Sequence, residues 1–396
     1  MRVAGIICEF NPLHQGHAWM MEEVRRQGAE AIVCAMSGNF VQRGEAAVAD
    51  KLSRAEMAVR CGADLVLELP TPWSANTAEI FGRGGVELLH KTGVVTHLAF
   101  GSECGDANAL QKLAAVLDSE EYEENLRALL GSGESFAVCR QKAVAKTVGE
   151  ETAALLAHPN NNLGVEYCRA MSRVGAAMGV ITVPRIGARH DGATVDGIAS
   201  ASHIRALLRR GETEQALSLM PEAAAEVLRR EMAAGRASAS LQNCETAVLY
   251  RLRSMTEEEF ARYDTSDEGL YHRLYDAVRT QTSVEAILDA AKTKRYSHAR
   301  LRRMVLSAWL GMEAVPDTVP YLRVLAANET GRKLLRQMRA EGAPVLTKAA
   351  DVAALGAQAE ALLRDEARRT DLYALTFPDG AQSLCGREWR TTPIML

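Results

Sequence analysis

Two histidines near the start of the chain have the types and the spacing of a phosphate site. His14 and His17 stand three residues apart with Gly16 between them, directly behind the apolar run Gly5-Ile6-Ile7-Cys8 and its break at Asn11-Pro12. If that run is a strand and the HxGH segment opens a helix, the helix N-terminus offers unpaired backbone N–H groups and a partial positive charge. The two imidazoles add donors, and Gly16 lets a base or ribose approach the backbone. Phosphoryl and nucleotidyl transfer need positioning and charge neutralisation more than covalent chemistry, so this assembly suffices in kind. One histidine alone is more often structural. A pair flanking a glycine at a strand end is a much stronger signal.

A second segment points the same way. Ile198-Ala199-Ser200-Ala201-Ser202-His203-Ile204-Arg205 sets two hydroxyls at a helix start and an arginine about one turn on. Either serine could merely cap that helix. Beside an HxGH segment, the expectation is a phosphate clamp of Ser200, Ser202 and Arg205.

The elements that would carry these residues alternate. Val3–Cys8, Ala31–Met36, Asp64–Glu68, Val94–Phe100 and Gly179–Val183 read as buried strands. Amphipathic stretches at His17–Gln27, Lys51–Cys61, Asn76–Lys91 and from Asp106 to Met178 lie between them, and a helix near Ser200–Arg210 closes the set. That order predicts an α/β domain on a parallel sheet, whose ligands sit at the carboxyl ends of the strands. From Gly211 onward, Ala, Leu, Glu and Arg recur at helical spacing, as in Glu222–Met232, Glu245–Ser254 and Ser283–Ala291. Strand signals return only at Asp371–Thr376 and in the last residues. The expected division is therefore 1–210, the nucleotide-binding α/β domain, and 211–396, a mostly helical region.

With 396 residues the chain can hold two full cores, and a net charge of −4 gives no global sign of nucleic-acid binding. Eight cysteines without a CxxC pair read as reduced, buried thiols, and Cys139, Cys244 and Cys385 lack the neighbours of a nucleophile. No leader-like segment and no apolar run of the ~20 residues that span a bilayer is present, so a cytoplasmic protein is expected. No metal ligand set stands out.

Four further segments invite a role. Ser37-Gly38-Asn39-Phe40-Val41-Gln42-Arg43-Gly44, behind the second strand, suits an anion pocket or a lid. Asp50 should cap the next helix, while Lys51 is open between a phosphate contact and a solvated surface lysine. Glu68, at a strand end, could hold Mg²⁺ or pair with an arginine. Lys292-Thr293-Lys294-Arg295-Tyr296-Ser297-His298-Ala299-Arg300-Leu301-Arg302-Arg303 holds six cations and no acid. Lys292, Lys294, Arg295, Arg300, Arg302 and Arg303 would meet RNA phosphates and Tyr296 would stack on a base; the plainer reading is a solvated helix face.

HQGH with SASHIR resembles the paired signature of the HxGH nucleotidyltransferases, which carry a Rossmann-like domain and cleave ATP between its α- and β-phosphates. CEFNPLHQGH, MSGNFVQRGE, GADLVLELP, FGSE, PNNNLGVEY, RIGARHD and TKRY together resemble the bacterial tRNA(Met) cytidine acetate ligase family, closely over residues 1 to about 205 and more weakly to about 310. The resemblance implies ATP as co-substrate with Mg²⁺, acetate as acyl donor and the wobble cytidine of elongator tRNA(Met) as acceptor, giving N4-acetylcytidine. It puts the ATP site on Ile7-Cys8-Glu9-Phe10-Asn11-Pro12-Leu13-His14-Gln15-Gly16-His17-Ala18-Trp19-Met20, and on Gly101, Asn160 and Arg185. His14, His17 and Arg205 would neutralise the reacting phosphates. The competing readings are another HxGH enzyme acting on a small molecule and a non-catalytic RNA-binding protein.

Overall fold

The computed structural model describes residues 1–131, 133–184, 194–195, 198–264, 269–293 and 296–396. Its centre is an eight-stranded, mostly parallel sheet. Strands β1 (Val3–Cys8), β2 (Ala31–Ser37), β3 (Leu65–Leu69), β4 (His97–Ser102) and β5 (Gly179–Pro184) are parallel. Strands β6 (Leu322–Ala327), β7 (Val345–Leu346) and β8 (Ile394–Met395) come from the C-terminal part of the chain. The order across the sheet is β7-β6-β3-β2-β1-β4-β5, with β8 also pairing with β6. All six residues of β1 are buried, as expected of a parallel strand covered on both faces.

The helices that position the site are α1 (Gln15–Arg26), α2 (Lys51–Arg60), α3 (Ala78–His90), α4 (Pro159–Val174), α5 (Ala201–Arg209), α6 (His298–Leu310), α7 (Ala357–Ala374) and the short α8 (Arg387–Arg390). Hydrophobic clusters fill both faces of the sheet. A third cluster, around Leu252, Phe260, Leu274, Val305 and Trp309, makes the helical part its own core. Phe40, just behind β2, is an anchor of that third core, its ring 6.1 Å from Trp309 and 5.7 Å from Tyr373. No helix among the described residues is long and apolar enough to cross a membrane.

Three expectations change. The strand expected at Val94–Phe100 begins at His97, because the Thr92 hydroxyl accepts the N–H groups of Val94 and Val95 and holds them in a turn. Asp371–Thr376 is not a strand: its first four residues end α7, where Leu363, Ala367, Thr370 and Ala374 bury one helical face. The stretch 211–396 returns to the sheet. Strand β6 runs antiparallel beside β3, so the sheet draws on both sides of residue 210.

Candidate active site

Strand β1 pairs with β2 on one side and β4 on the other, so the chain order reverses at its carboxyl end. There a cavity of about 280 Å³ opens. Phe10, in the turn out of β1, has φ 46, a left-handed conformation uncommon for an aromatic residue and one that clusters at functional sites. Asn11 then accepts the Val48 N–H at 2.7 Å, and Arg205 donates to the Asn11 carbonyl at 2.7 Å.

His14 is the N-cap of α1. Its Nδ1 accepts the Gly16 N–H at 3.1 Å, and the His14 N–H donates to His17 Nδ1 at 3.3 Å. With both Nδ1 atoms accepting, each ring carries its proton on Nε2. The ring centroids lie 3.8 Å apart. The expected cradle of unpaired helix N–H groups is thus partly relayed: the Gly16 N–H donates to an imidazole, and the His17 and Ala18 N–H groups donate to the His14 carbonyl. In this tautomer the donor of each ring is its Nε2–H. A Cβ on Gly16 would lie 3.1 Å from His14 Cε1 and 3.2 Å from Ile198, so glycine keeps this geometry open.

Ser200 caps α5, accepting the His203 N–H at 3.2 Å, and Ser200, Ser202 and Arg205 all line the cavity. Arg205 also reaches Glu45 at 3.4 Å. Burial lowers its affinity for its proton, opposed by Glu45 and Glu9. Glu9, whose carboxyl is pushed up by burial, accepts the Gln42 N–H at 2.7 Å. Beneath it the wholly buried Arg54 ties the strand ends together, donating to the carbonyls of Glu9, Ser37, Gly38 and Ala49. Behind Asn160, which lines the cavity, Glu103 gathers Asn160 Nδ2 at 2.6 Å and the Asn161 N–H at 2.8 Å, so the protein's own carboxylate occupies the start of α4.

A family model described as HIGH Nucleotidyl Transferase matches residues 1–387. The tRNA(Met) cytidine acetate ligase of Syntrophomonas wolfei is 34% identical, covering 100% of this chain and 99% of its own. That of Caldanaerobacter subterraneus is 34% identical over 97% of both. Crystal structures of Thermotoga maritima TmcAL align over 100% of both chains, the apo form with TM-score 0.95 at 32% identity and the form bound with alpha-thio ATP with 0.94 at 31%. The chain belongs to the tRNA(Met) cytidine acetate ligase family.

Against that family's expected nucleotide site, the structure brings Ile7, Cys8, Glu9, Phe10, Asn11, His14, Gly16, His17, Trp19, Met20, Gly101 and Asn160 to the cavity wall. Pro12, Leu13, Gln15 and Ala18 are not on it. Arg185 lies outside the described residues. Val41, Gln42 and Arg43 of the loop behind β2 do line the cavity. Glu45, Phe81, Phe100, Leu163 and Tyr167 were not singled out from sequence. The last four are apolar or aromatic residues whose helical and strand spacing reads only as core. Burial pushes the Cys8 thiol well up, which keeps it protonated and unfit as a nucleophile.

Neither reading of Lys51 holds. It is buried, with Nζ 2.7 Å from Glu68 and 2.6 Å from Glu388, so Glu68 pairs with a lysine rather than an arginine. Asp50 caps α2 as expected, accepting the Ser53 N–H at 2.8 Å.

In the basic run, Lys294 and Arg295 lie outside the described residues. Tyr296 is only 6% exposed and packs in the third core, so its ring is no open stacking platform; Arg300 lies over it at 5.1 Å. Arg302 pairs with Glu45 at 3.0 Å, and Arg303 approaches the Gln42 carbonyl at 3.5 Å. Arg302 and Arg303 therefore abut the lip of the cavity, which Gln42 and Glu45 line.

Proposed function

We propose that this chain activates acetate with ATP and transfers the acetyl group to the wobble cytidine of elongator tRNA(Met). The observation that carries the reading is the pair of Nδ1-anchored imidazoles at the carboxyl end of β1, facing a cavity that Arg205 and the two serines of the second motif also line. In the first step an acetate oxygen attacks the α-phosphorus in line. The new O–P bond forms as the bond to the bridging oxygen breaks, and pyrophosphate leaves. His14 and His17 donate from Nε2 to the charge that develops, and Arg205 neutralises the phosphates; a single preorganised donor of this kind contributes roughly 10²–10³ in rate. In the second step the cytidine N4 attacks the acetyl carbonyl, loses a proton, and AMP departs.

Mg²⁺ would arrive with the triphosphate. Among the described residues no group of three His, Cys, Asp or Glu could hold a metal ion, and Glu68 is committed to Lys51. The nucleotide chemistry is assigned to 1–210 and the tRNA grip to the 211–396 side, through Lys292, Arg300, Arg302 and Arg303, with Lys294 and Arg295 in the same run.

The test is incubation with unmodified tRNA, labelled acetate, ATP and Mg²⁺, followed by mass spectrometry of the digested nucleosides. ATP-dependent labelled N4-acetylcytidine is expected. Pyrophosphate release without that product would redirect the reading to another acceptor. Neither signal would leave a nucleotide- or RNA-binding protein. His17→Ala should lose turnover and keep tRNA binding; full activity in that variant would remove the proposed site.

A further inference from the structure

Glu45 stands between the nucleotide cavity and the basic helix and is shared by both. It lines the cavity, with one carboxylate oxygen 3.4 Å from Arg205 Nη2 and the other 3.0 Å from Arg302 Nη1. The three side chains are 15%, 28% and 29% exposed in the order Arg205, Glu45, Arg302, so the bridge is shielded yet reachable from both ends. Gly44 has φ 76 and sits so close to α6 that a Cβ there would be 2.5 Å from the Arg303 backbone nitrogen, so the backbone that carries Glu45 packs directly against that helix. Among the described residues, charges around the bridge include Arg43, Arg209 and Glu9 beside Arg205, Glu285 at 3.8 Å from Arg302, and Arg303 on the same helix.

We propose that Glu45 is a shared counter-charge that orders the two half-reactions. It rests on the reading above, in which Arg205 serves the ATP phosphates and α6 serves tRNA. One carboxylate cannot fully satisfy two guanidinium groups. When the triphosphate draws Arg205 away, the charge of Glu45 falls on Arg302 and withholds it from tRNA phosphate. When pyrophosphate leaves, Arg205 returns to Glu45 and Arg302 becomes available. ATP and tRNA thus oppose each other, and the adenylate state favours tRNA. By linkage the effect is reciprocal.

The experiment measures tRNA affinity for the full chain at fixed ionic strength and fixed free Mg²⁺, without nucleotide, with an ATP analogue carrying an α,β-methylene bridge, and with AMP. Affinity should be about fivefold weaker with the analogue than with AMP, within the usual range of coupling between sites. Glu45→Gln should erase that difference, and saturating tRNA should weaken analogue binding to wild type by the factor by which the analogue weakens tRNA binding relative to the nucleotide-free chain. A difference that persists in Glu45→Gln would mean the field of the triphosphate acts without Glu45, and would overturn the proposal. So would equal affinities in wild type. Should Glu45→Gln fail to fold, Arg302→Ala decides instead: its weaker tRNA binding must not respond to the nucleotide. Loss of ordering with N4-acetylcytidine still formed sinks only this proposal, whereas absence of any tRNA binding sinks the functional reading with it.

Discussion

Lys51, at the first position of α2, and Glu388, in the last helix of the chain, meet inside the protein with Nζ and Oε2 2.6 Å apart. Lys51 also holds Glu68 at 2.7 Å, and Arg323 stands 3.4 Å from Glu388. Asn39 joins the group, accepting the Lys51 N–H at 3.0 Å and donating to Thr370 at 3.2 Å, with Thr370 in turn donating to Glu388 at 3.1 Å. The loop behind β2 that lines the cavity is therefore fastened from below by the C-terminal helices.

Removing Lys51 leaves two carboxylates in the interior with one cation the fewer. Lys51→Met should lower stability by about 3–5 kcal/mol, the usual cost of breaking a buried pair by taking one partner. Equilibrium denaturation measures it. A loss below about 1 kcal/mol would mean the cluster is wetter than the structure shows.

The two carboxylates on Lys51 titrate in opposite directions. Burial, seconded by the charges of Glu388 and Glu366, raises Glu68 to about 7, while Lys51 and Arg323 overcome burial to hold Glu388 low. Glu68 lacks an arginine, so it is the one that takes the proton. Between its ordinary value near 4.5 and about 7 the folded chain binds this proton more tightly than the unfolded one. Stability from Glu68 is thus present below that window and falls as pH rises through it. Denaturation at pH 5.5 and 7.5 should show wild type losing ground to Glu68→Gln at the higher pH. A gap between them that does not change with pH contradicts the assignment.

His14 caps α1 through Nδ1, and the proposed phosphate role falls to Nε2, so the two can be separated. His14→Ala should cost about 1 kcal/mol for the lost cap and reduce turnover by roughly 10²–10³. His14→Asn can restore the cap but offers no Nε2–H. Its melting should return towards wild type while acetate-dependent pyrophosphate exchange stays low. Recovery of both together would show that His14 acts only on the fold.

Gly44, in the cavity loop, lies directly against α6. Gly44→Ala combines a left-handed backbone with a Cβ 2.6 Å from the Arg302 carbonyl carbon, so loop and helix must part. We expect a stability loss of about 1–3 kcal/mol and a larger fall in tRNA affinity than in pyrophosphate exchange. Equal effects on the two activities would argue that α6 is not a tRNA contact.

Legibility in the sequence followed contiguity. The HxGH turn and the Ser200–Arg205 cap were readable because strand, break and helix start adjoin one another, and local chemistry fixes how they are arranged. Phe81, Phe100, Leu163 and Tyr167 were not, since an aromatic at a core position looks the same whether it faces a core or a ligand. Strand β6 was missed because its six buried residues sit among helical segments and find their partner only through the distant β3. Tyr296 was misjudged for the converse reason. Cations around an aromatic do not say which way the ring turns, and here it turns inward.

The placement of β6 bears on how the protein is made. The edge of β3, buried along all five of its residues in the finished molecule, keeps an open row of backbone donors and acceptors until residues near 327 have been synthesised. Nascent chains that have released the whole nucleotide site still carry an unfinished, sticky border, which calls for chaperone cover or rapid completion. A fragment cut at residue 210 would keep His14, His17 and Arg205 yet inherit that border for good. Exchange of C-terminal portions between relatives should accordingly leave Leu322–Ala327 with the partner strand it was selected to cover.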